Sequence, residues 1–187
     1  HPLLKKAVGE VKTGVALDIG TGDGGNSIFL AKSGFRVEAI DIDPKSVREL
    51  KRLSSKQGLD IDARKIDLVE FGFPHLKYDL ILAIQSLIWI RKGDFVSVIR
   101  KIKASLRREG VVVISGFTTR DPSFINLKNS QRTVFRKNTF FSRSQKRFWQ
   151  FLEKNELKKY FRRGFKIIRI NARPKPSIVF RNLEKHI

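Results

Sequence analysis

Residues 16–25 read ALDIGTGDGG, a short apolar run that ends in an acid and continues directly into a glycine-rich turn. Val15 to Ile19 show no alternation of apolar and polar side chains, which is typical of a parallel strand buried on both faces. Gly20, Gly22 and Gly24 let the backbone turn sharply and approach a ligand closely. The residues that follow have helical character, and a helix start offers N–H groups and a positive dipole end. This stretch predicts a site for a polar or anionic ligand at the carboxyl end of a strand.

The glycine spacing fits two classes of ligand. Gly20, Gly22 and Gly25 satisfy the dinucleotide pattern G-x-G-x-x-G, and Asp41 follows near the place expected for a ribose-binding acid. Asp18 argues against a dinucleotide, because a carboxylate two residues before the first glycine suits a ligand with an α-amino group. An oxidoreductase that uses a nicotinamide cofactor therefore stays an alternative interpretation.

Acidic residues end three successive predicted strands. Asp18 lies at the end of the first strand, Asp41 ends the second, and Asp67 follows the apolar segment Ile61 to Ile66. Three carboxylates in this arrangement suit a ligand with an amine, a ribose diol and an adenine, each of which donates hydrogen bonds. S-adenosylmethionine has all three groups. We therefore predict it as the cofactor, with S-adenosylhomocysteine as its product.

The segment from His1 to about Phe117 resembles class I S-adenosylmethionine-dependent methyltransferases, and in detail the tellurite-resistance methyltransferase (TehB-like) family. The matching stretch reads HPLLKKAVGEVKTGVALDIGTGDGGNSIFLAKSGFRVEAIDIDPKSV. A second stretch, FLEKNELKKYF at 151–161, is similar to the late helix of the family. The resemblance has a gap over about residues 118–147.

The resemblance implies a role for individual residues of this chain. It implies that the methionine end of the cofactor lies beside Asp18, Gly20 and Gly22, and the ribose hydroxyls on Asp41. It implies that adenine lies next to Ile42 and between Asp67 and Leu68, that the sulfonium lies near Gln85, and that His1 belongs to a segment covering the cofactor. The predicted cofactor-binding residues are His1, Asp18, Gly20, Thr21, Gly22, Gly24, Asp41, Ile42, Asp67, Leu68 and Gln85.

The chain departs from the family pattern near its end. The Leu-His-Arg segment of the family, which has been linked to its reaction, is not recognisable here, because the chain continues after IIRIN as ARPKPSIVF. This departure argues against tellurite or selenite as the substrate.

Alternating elements predict an α/β fold, a three-layer Rossmann-like sheet that is mostly parallel with an antiparallel last strand. Residues 1–187 are expected to form one domain, in which 118–147 is a substrate-side insertion and 117–147 is irregular. The predicted helices are 1–10, 24–33, 44–57, 93–106 and about 154–162. The predicted strands are 14–19, 35–41, 60–66, 78–84, 110–116, 165–171 and 177–182.

Composition excludes several classes of protein. Without cysteine the chain has no disulfide, no thiolate nucleophile and no cysteine zinc site. The longest apolar run, Leu80 to Ile90, is too short for a membrane span, and no signal-peptide pattern begins at His1. We expect a cytoplasmic protein that has neither a metal nor a membrane partner. Because methionine is absent, including an initiator, we expect the chain to be part of a longer gene product.

Positive charge is concentrated in the second half of this basic protein. The chain has 39 Lys and Arg against 18 Asp and Glu, a net charge of +21. Residues 94–187 carry 24 of the basic and 6 of the acidic residues. Beyond the fifth predicted strand these include Arg120, Lys128, Arg132, Arg136, Lys137, Arg143, Lys146 and Arg147, interleaved with Phe135, Phe140, Phe141, Phe148 and Trp149. This pattern fits a surface that binds RNA or another polyanion, or an aromatic core under a solvated charged shell.

The sequence offers no convincing general base. His75 and His186 lie outside any recognisable motif and are interpreted as surface residues. Gln85, Ser86 and Trp89 follow the fourth predicted strand and are candidates for residues near the transferred methyl group. The alternative for Trp89 is core packing with its neighbours in the chain.

The predicted function is transfer of a methyl group from S-adenosylmethionine to a small, anionic acceptor by in-line displacement. The residues AIQS stand where methyltransferases that act on exocyclic adenine amines carry Asn-Pro-Pro-aromatic, and a C5-pyrimidine mechanism would need a cysteine. The alternatives are an RNA-directed methyltransferase or an RNA-binding protein that uses the basic half, and then the nicotinamide oxidoreductase.

Overall fold

Strands and helices alternate along the first part of the chain. The computed structural model describes residues 2–129, 133–136, 138–143, 146–153, 155–171 and 177–183. The first elements are α1 (Pro2–Gly9), β1 (Val15–Ile19), α2 (Gly25–Lys32), β2 (Arg36–Asp41), α3 (Pro44–Lys56), β3 (Ile61–Lys65), β4 (Tyr78–Ile84), a 3₁₀ turn (Leu87–Trp89), α4 (Lys92–Ser105) and β5 (Leu106–Ser115). They are followed by β6 (Phe117–Thr118), α5 (Pro122–Asn129), β7 (Thr133–Arg136), β8 (Thr139–Ser142), β9 (Arg147–Leu152), α6 (Glu156–Tyr160), β10 (Phe165–Asn171) and β11 (Ser177–Asn182).

A seven-stranded sheet runs in the order β10-β11-β5-β4-β1-β2-β3. The strands β1 to β5 are parallel to one another, whereas β11 pairs antiparallel with both β5 and β10. The predicted fold class is confirmed, including the antiparallel last strand. The dinucleotide fold has the strand order 3-2-1-4-5-6. Read from β3, this sheet has the same first five strands, but β11 lies between β5 and β10. This difference disfavours the oxidoreductase interpretation.

Each face of the sheet is covered by apolar packing. Leu17 and Phe95 belong to a core cluster on one face, and Ala16 and Leu30 belong to a second cluster on the other. Successive residues of β1 therefore point into different cores, which explains why its sequence lacks alternation. In the described part of the chain, no helix has the length and apolar character needed to cross a membrane.

The prediction that 117–147 is irregular is wrong. The segment contains α5 and the strands β6, β7 and β8, and together with β9 these strands form a four-stranded sheet in the order β6-β9-β8-β7. We call residues 117–152 the cap. Its strands are only two to six residues long. Aromatic residues stand side by side at 140–141 and at 148–149, so the segment lacks the alternation that predicts a strand.

Two element boundaries also differ from the predictions. The fifth strand begins at Leu106 rather than at residue 110, because Leu106 pairs with Tyr78 at the start of β4, and a register shift separates this pair from Leu80 and Val111. The buried side-chain amide of Asn182 donates to the carbonyls of Leu106 and Arg107, each at 3.2 Å. The late helix covers only 156–160, since residues 151 and 152 belong to β9 and Asn155 has a φ of 66°. The remaining elements agree with the predictions to within about two residues.

A buried carboxylate ties three strands together inside the sheet. Glu38, which is 5% exposed, forms ion pairs with Arg64 at 3.0 Å and with Lys77, and it accepts a hydrogen bond from the Tyr78 hydroxyl at 2.9 Å. Burial alone would raise the pKa of Glu38. The hydrogen bonds from Lys77 and Tyr78 and the charges of Lys77 and Arg64 outweigh it and hold the pKa below its ordinary value.

Glu38→Gln is expected to lower the free energy of unfolding by about 1–3 kcal/mol at neutral pH, because two cations lose the opposite charge and only one of the two acceptor oxygens remains. A lowered pKa contributes stability above the pKa of the unfolded chain and loses it as the pH falls. The difference between wild type and variant should therefore shrink on acidification, as measured by urea unfolding at about pH 7 and about pH 4. Glu49→Gln is the control, because Glu49 pairs with Arg52 at the surface. If both variants lost the same free energy of unfolding, Glu38 would not stabilise the sheet more than a surface ion pair does.

Candidate cofactor and acceptor site

The carboxyl ends of β1 and β4 meet so closely that only glycine fits between them. A Cβ added to Gly20 would lie 2.7 Å from the Cβ of Ser86, and Gly20 has a φ of +74°. Its N–H donates to the carbonyl of Ile40 at 2.8 Å, which fixes the turn against the end of β2. Sequence reasoning named both Gly20 and Ser86 as site residues, and the structure brings them together.

Asp18 is a buried carboxyl group directly below this turn. It is 1% exposed, and its Oδ2 accepts a hydrogen bond from the hydroxyl of Ser27 at 2.6 Å. Burial raises the pKa of Asp18 to about 7; the nearby charges of Asp41 and Asp23 also raise it, and the Ser27 hydrogen bond only partly opposes them. A buried carboxyl without a cationic partner in the described protein suits a cationic group of a ligand.

Asp41 lies beside the same turn at the end of β2. Its Oδ2 accepts from the N–H of Gly22 and its Oδ1 from the N–H of Asp43, each at 2.9 Å. Each carboxylate oxygen has about two lone-pair sites, so each can accept one further hydrogen bond. The side on which a Gly22 side chain would project is open, with nothing within 4 Å of an added Cβ. This geometry suits a vicinal diol lying on the turn.

The ends of β2 and β3 lie side by side beyond Asp41. The N–H of Ile66 donates to the carbonyl of Asp41 at 3.0 Å, which brings Asp67 to the same edge of the sheet. Asp67 accepts from the N–H of Val69 at 2.8 Å through Oδ1. Ile42 exposes 63% of its surface here, and Leu68 is half-buried against the core. An apolar surface beside a carboxylate suits a flat ring that carries an amino group.

Two buried hydroxyls near the turn have no hydrogen-bond partner within the described structure. They belong to Thr21, which is 3% exposed, and to Ser86. A buried polar group without a partner destabilises a fold by about 1–3 kcal/mol, so their presence is best explained by a polar ligand. Together with Asp18 and Asp41 these residues fit S-adenosylmethionine, which has donors for both carboxylates and polar groups at its amino-acid end.

Gln85 has an unusual backbone at the end of β4. Its φ is +56°, and its N–H donates to both the carbonyl and the hydroxyl of Ser115 at 3.1 Å. A left-handed residue other than glycine costs roughly 1–2 kcal/mol and is common at functional sites. The strained turn directs the chain away from β4 and into the 3₁₀ turn that ends at Trp89.

Trp89 packs against the cap and not mainly against its neighbours in the chain. Its ring lies edge-on to Trp149 with 4.6 Å between centroids, and the Arg147 guanidinium lies 4.0 Å from its ring centre. Leu87 and Ile88 are buried, whereas both tryptophans are half-buried. Sequence reasoning grouped Arg147 and Trp149 only with the basic, aromatic segment. The sequence contains no signal for this contact beyond the fact that the chain has two tryptophans.

The other residues named from the sequence lie in the cap, on the surface, or outside the described residues. Phe140 is fully buried and so belongs to the cap core, whereas Phe141 and Phe148 are half-buried. His75 is exposed in the loop before β4. His1, His186 and the side chain of Phe135 lie outside the described residues.

The family is identified by comparison with known proteins. The sequence profile described as "Tellurite resistance protein TehB" matches residues 1–173. The chain belongs to this family. The match extends through the cap, which the sequence resemblance left as a gap. It therefore includes the whole of the site described above.

Two known proteins are related to this TehB-family chain in sequence. It is 28% identical over 122 residues to Hemagglutinin 1 of Eikenella corrodens, covering 65% of this chain and 40% of that protein. It is 34% identical over 103 residues to Ribosomal protein L11 methyltransferase of Campylobacter concisus (strain 13826), covering 54% of this chain and 34% of that protein. The chain thus spans less than half the length of these relatives.

Solved methyltransferase structures share the fold of this TehB-family chain. The TehB structure from Haemophilus influenzae has a TM-score of 0.75 at 18% identity, covering 97% of this chain and 62% of that one. The 1,6-didemethyltoxoflavin-N1-methyltransferase of Burkholderia thailandensis, solved with S-adenosylhomocysteine bound, has a TM-score of 0.71 at 18% identity, covering 97% and 78%. The chain therefore has the fold of S-adenosylmethionine-dependent methyltransferases. The role of each site residue stays a prediction.

The raised pKa of Asp18 predicts a pH dependence of stability. The folded chain keeps this proton up to about pH 7, whereas the unfolded chain releases it near pH 3.8. Stability should therefore fall as the pH rises between these values and level off above them. Asp18→Asn, which cannot ionise, should lack this fall, and thermal unfolding of both proteins across the range measures it. Parallel pH profiles of the two proteins would show that Asp18 titrates normally.

Proposed function

We propose that this TehB-family protein transfers a methyl group from S-adenosylmethionine to a small anionic acceptor. The observation that carries the proposal is the series of carboxylates at the ends of β1, β2 and β3, arranged around a glycine turn that is open at Gly22. Asp18, Asp41 and Asp67 offer acceptors for an amine, a diol and an exocyclic amine in the order in which the cofactor carries them.

The protein's part in the reaction is binding and alignment. Asp18 would hold the ammonium group of the cofactor, Asp41 its ribose hydroxyls, and Asp67 with Ile42 its adenine, while Gln85 would lie near the sulfonium. When bound, the cofactor supplies a methyl carbon on a sulfonium; a lone pair of the acceptor forms the new bond, and the sulfur keeps the electrons of the broken one. An acceptor that arrives deprotonated needs no protein base, so alignment and exclusion of water supply the acceleration.

The charge of the cap favours an anionic acceptor. Residues 117–152 contain eight basic residues and a single acidic one, Asp121. The cap begins only two residues after β5 ends, so it stands at the carboxyl edge of the sheet, next to the cofactor side. Concentrated positive potential steers anions toward such an edge. We therefore assign the cap, which contains the predicted insertion 118–147, to the acceptor.

Gly22→Ala is expected to weaken binding of S-adenosylhomocysteine by tenfold or more, an order-of-magnitude expectation, because a methyl group would occupy the open side of the turn. Isothermal titration calorimetry measures the change. Gly58→Ala is the matched control, since Gly58 also has a positive φ, +62°, and open space around its added Cβ.

Both alanine variants should lose similar stability, because both place a side chain in the left-handed region. Only Gly22→Ala should lose affinity for the cofactor product. The proposal fails if wild type does not bind S-adenosylhomocysteine, or if the two variants bind it equally well.

Affinity for S-adenosylhomocysteine should rise with pH up to about pH 7, because a protonated Asp18 cannot pair with the ammonium group. Asp18→Asn should bind more weakly, and its affinity should not follow this rise. Calorimetric titrations at a series of pH values measure both effects. A wild-type affinity that is constant across the range would remove Asp18 from the cofactor site.

A further inference from the structure

Both tryptophans of the chain meet beside the cofactor turn, with an arginine above them. We call Trp89, Trp149 and Arg147 the tryptophan corner. The backbone N–H of Trp89 donates to the carbonyl of Ser86 at 3.3 Å, and Ser86 packs against Gly20. The corner is therefore one helical turn away from the residue that contacts the glycine turn.

The aromatic residues of the cap divide into a closed part and an open part. Phe140 and Phe151 are fully buried and pack edge to face at 5.7 Å, as expected of a small hydrophobic core. Trp149 continues this cluster through Phe117, whose ring stacks on it at 5.9 Å, but it remains half-buried like Trp89. The cluster is thus closed at Phe140 and Phe151 and partly accessible at Trp149.

Arg147 gives the corner its charge. It is exposed, and its guanidinium carbon lies 4.0 Å from the ring centre of Trp89 and 5.7 Å from that of Trp149. A guanidinium over an indole ring is attracted to the ring face through its charge, and a guanidinium also carries five N–H donors that match carboxylate or phosphate oxygens. Two half-buried indoles and a guanidinium therefore combine aromatic surface, which suits a flat ring, with donors that suit an anion.

We propose that the tryptophan corner binds the methyl acceptor, and that the acceptor is a planar aromatic or heteroaromatic ring with an acidic substituent. The ring lies against the two indoles, and the acidic group pairs with Arg147. This inference rests on the proposed function, since it assigns the corner to the acceptor of the same reaction. It extends that function by naming the acceptor's chemical class and the residues that select it.

Intrinsic fluorescence tests the proposal directly, because the chain has two tryptophans and both are in the corner. With S-adenosylhomocysteine present, benzoate serves as the flat anion, benzamide as the flat neutral compound and cyclohexanecarboxylate as the non-planar anion. We expect a saturable fluorescence change with benzoate and about tenfold weaker binding of each of the other two, the effect of losing one strong contact.

Charge-matched variants separate the corner from the general charge of the cap. Arg147→Gln should abolish the preference for benzoate over benzamide. Arg143→Gln, which removes an exposed charge from the turn before β9, should keep it. Trp149→Leu should weaken benzoate and benzamide alike while leaving cyclohexanecarboxylate unchanged. In all variants, calorimetry with S-adenosylhomocysteine and thermal unfolding report whether the cofactor site and the fold remain intact.

Three results would overturn the proposal while leaving the proposed function standing, provided that S-adenosylhomocysteine still binds. These are no saturable change with benzoate, equal affinity for all three probes, and equal effects of the Arg147 and Arg143 substitutions, which would indicate general charge alone. If the wild-type protein does not bind S-adenosylhomocysteine, the proposed function itself is wrong.

Discussion

The contact between Gly20 and Ser86 is the constraint on which the site depends. The strands β1 and β4 are neighbours in the sheet, and their ends converge until a methyl group no longer fits between them. This closeness forces the chain after β1 to turn over the end of β2, where its N–H groups reach Ile40 and Asp41. It also places the residues after β4 beside the turn, so the proposed cofactor and acceptor sites share one edge of the sheet.

Two buried carboxyl groups, those of Glu38 and Asp18, have different surroundings and opposite pKa shifts. Glu38 is surrounded by Lys77, Arg64 and a tyrosine hydroxyl, and these hold its pKa low and tie the strands together. Asp18 is as deeply buried, but among the described residues its side chain accepts a hydrogen bond from a serine hydroxyl and pairs with no cation, and its pKa is raised. A buried carboxyl group with a raised pKa is typical of a functional site. The same functional group is thus paired with cations at Glu38 and, within the described residues, not at Asp18.

The sequence predicted the elements whose signals are local. The apolar run before Gly20, the helix start at Pro44 and the acids that end successive strands all lie within a few residues of the features they specify. The secondary structure of the cap was not predicted, because its short strands are stabilised by pairing with one another and by rings from other elements of the cap, such as Phe124 of α5 on Phe140. Trp89 and Trp149 meet although 60 residues separate them in the chain. No local pattern encodes such a contact, and the same holds for Asn182 beneath the start of β5.

The position of β11 has a consequence for synthesis of the protein. Between β5 and β10 lies β11, made of residues 177–182, which is synthesised after both of its neighbours in the sheet. Until then the edge of β5 formed by Val111, Val112 and Val113 is open, and exposed apolar strand edges favour association with other chains. Closing this edge depends on pairing between strands that are far apart in the chain, so completion of the sheet is a long-range event.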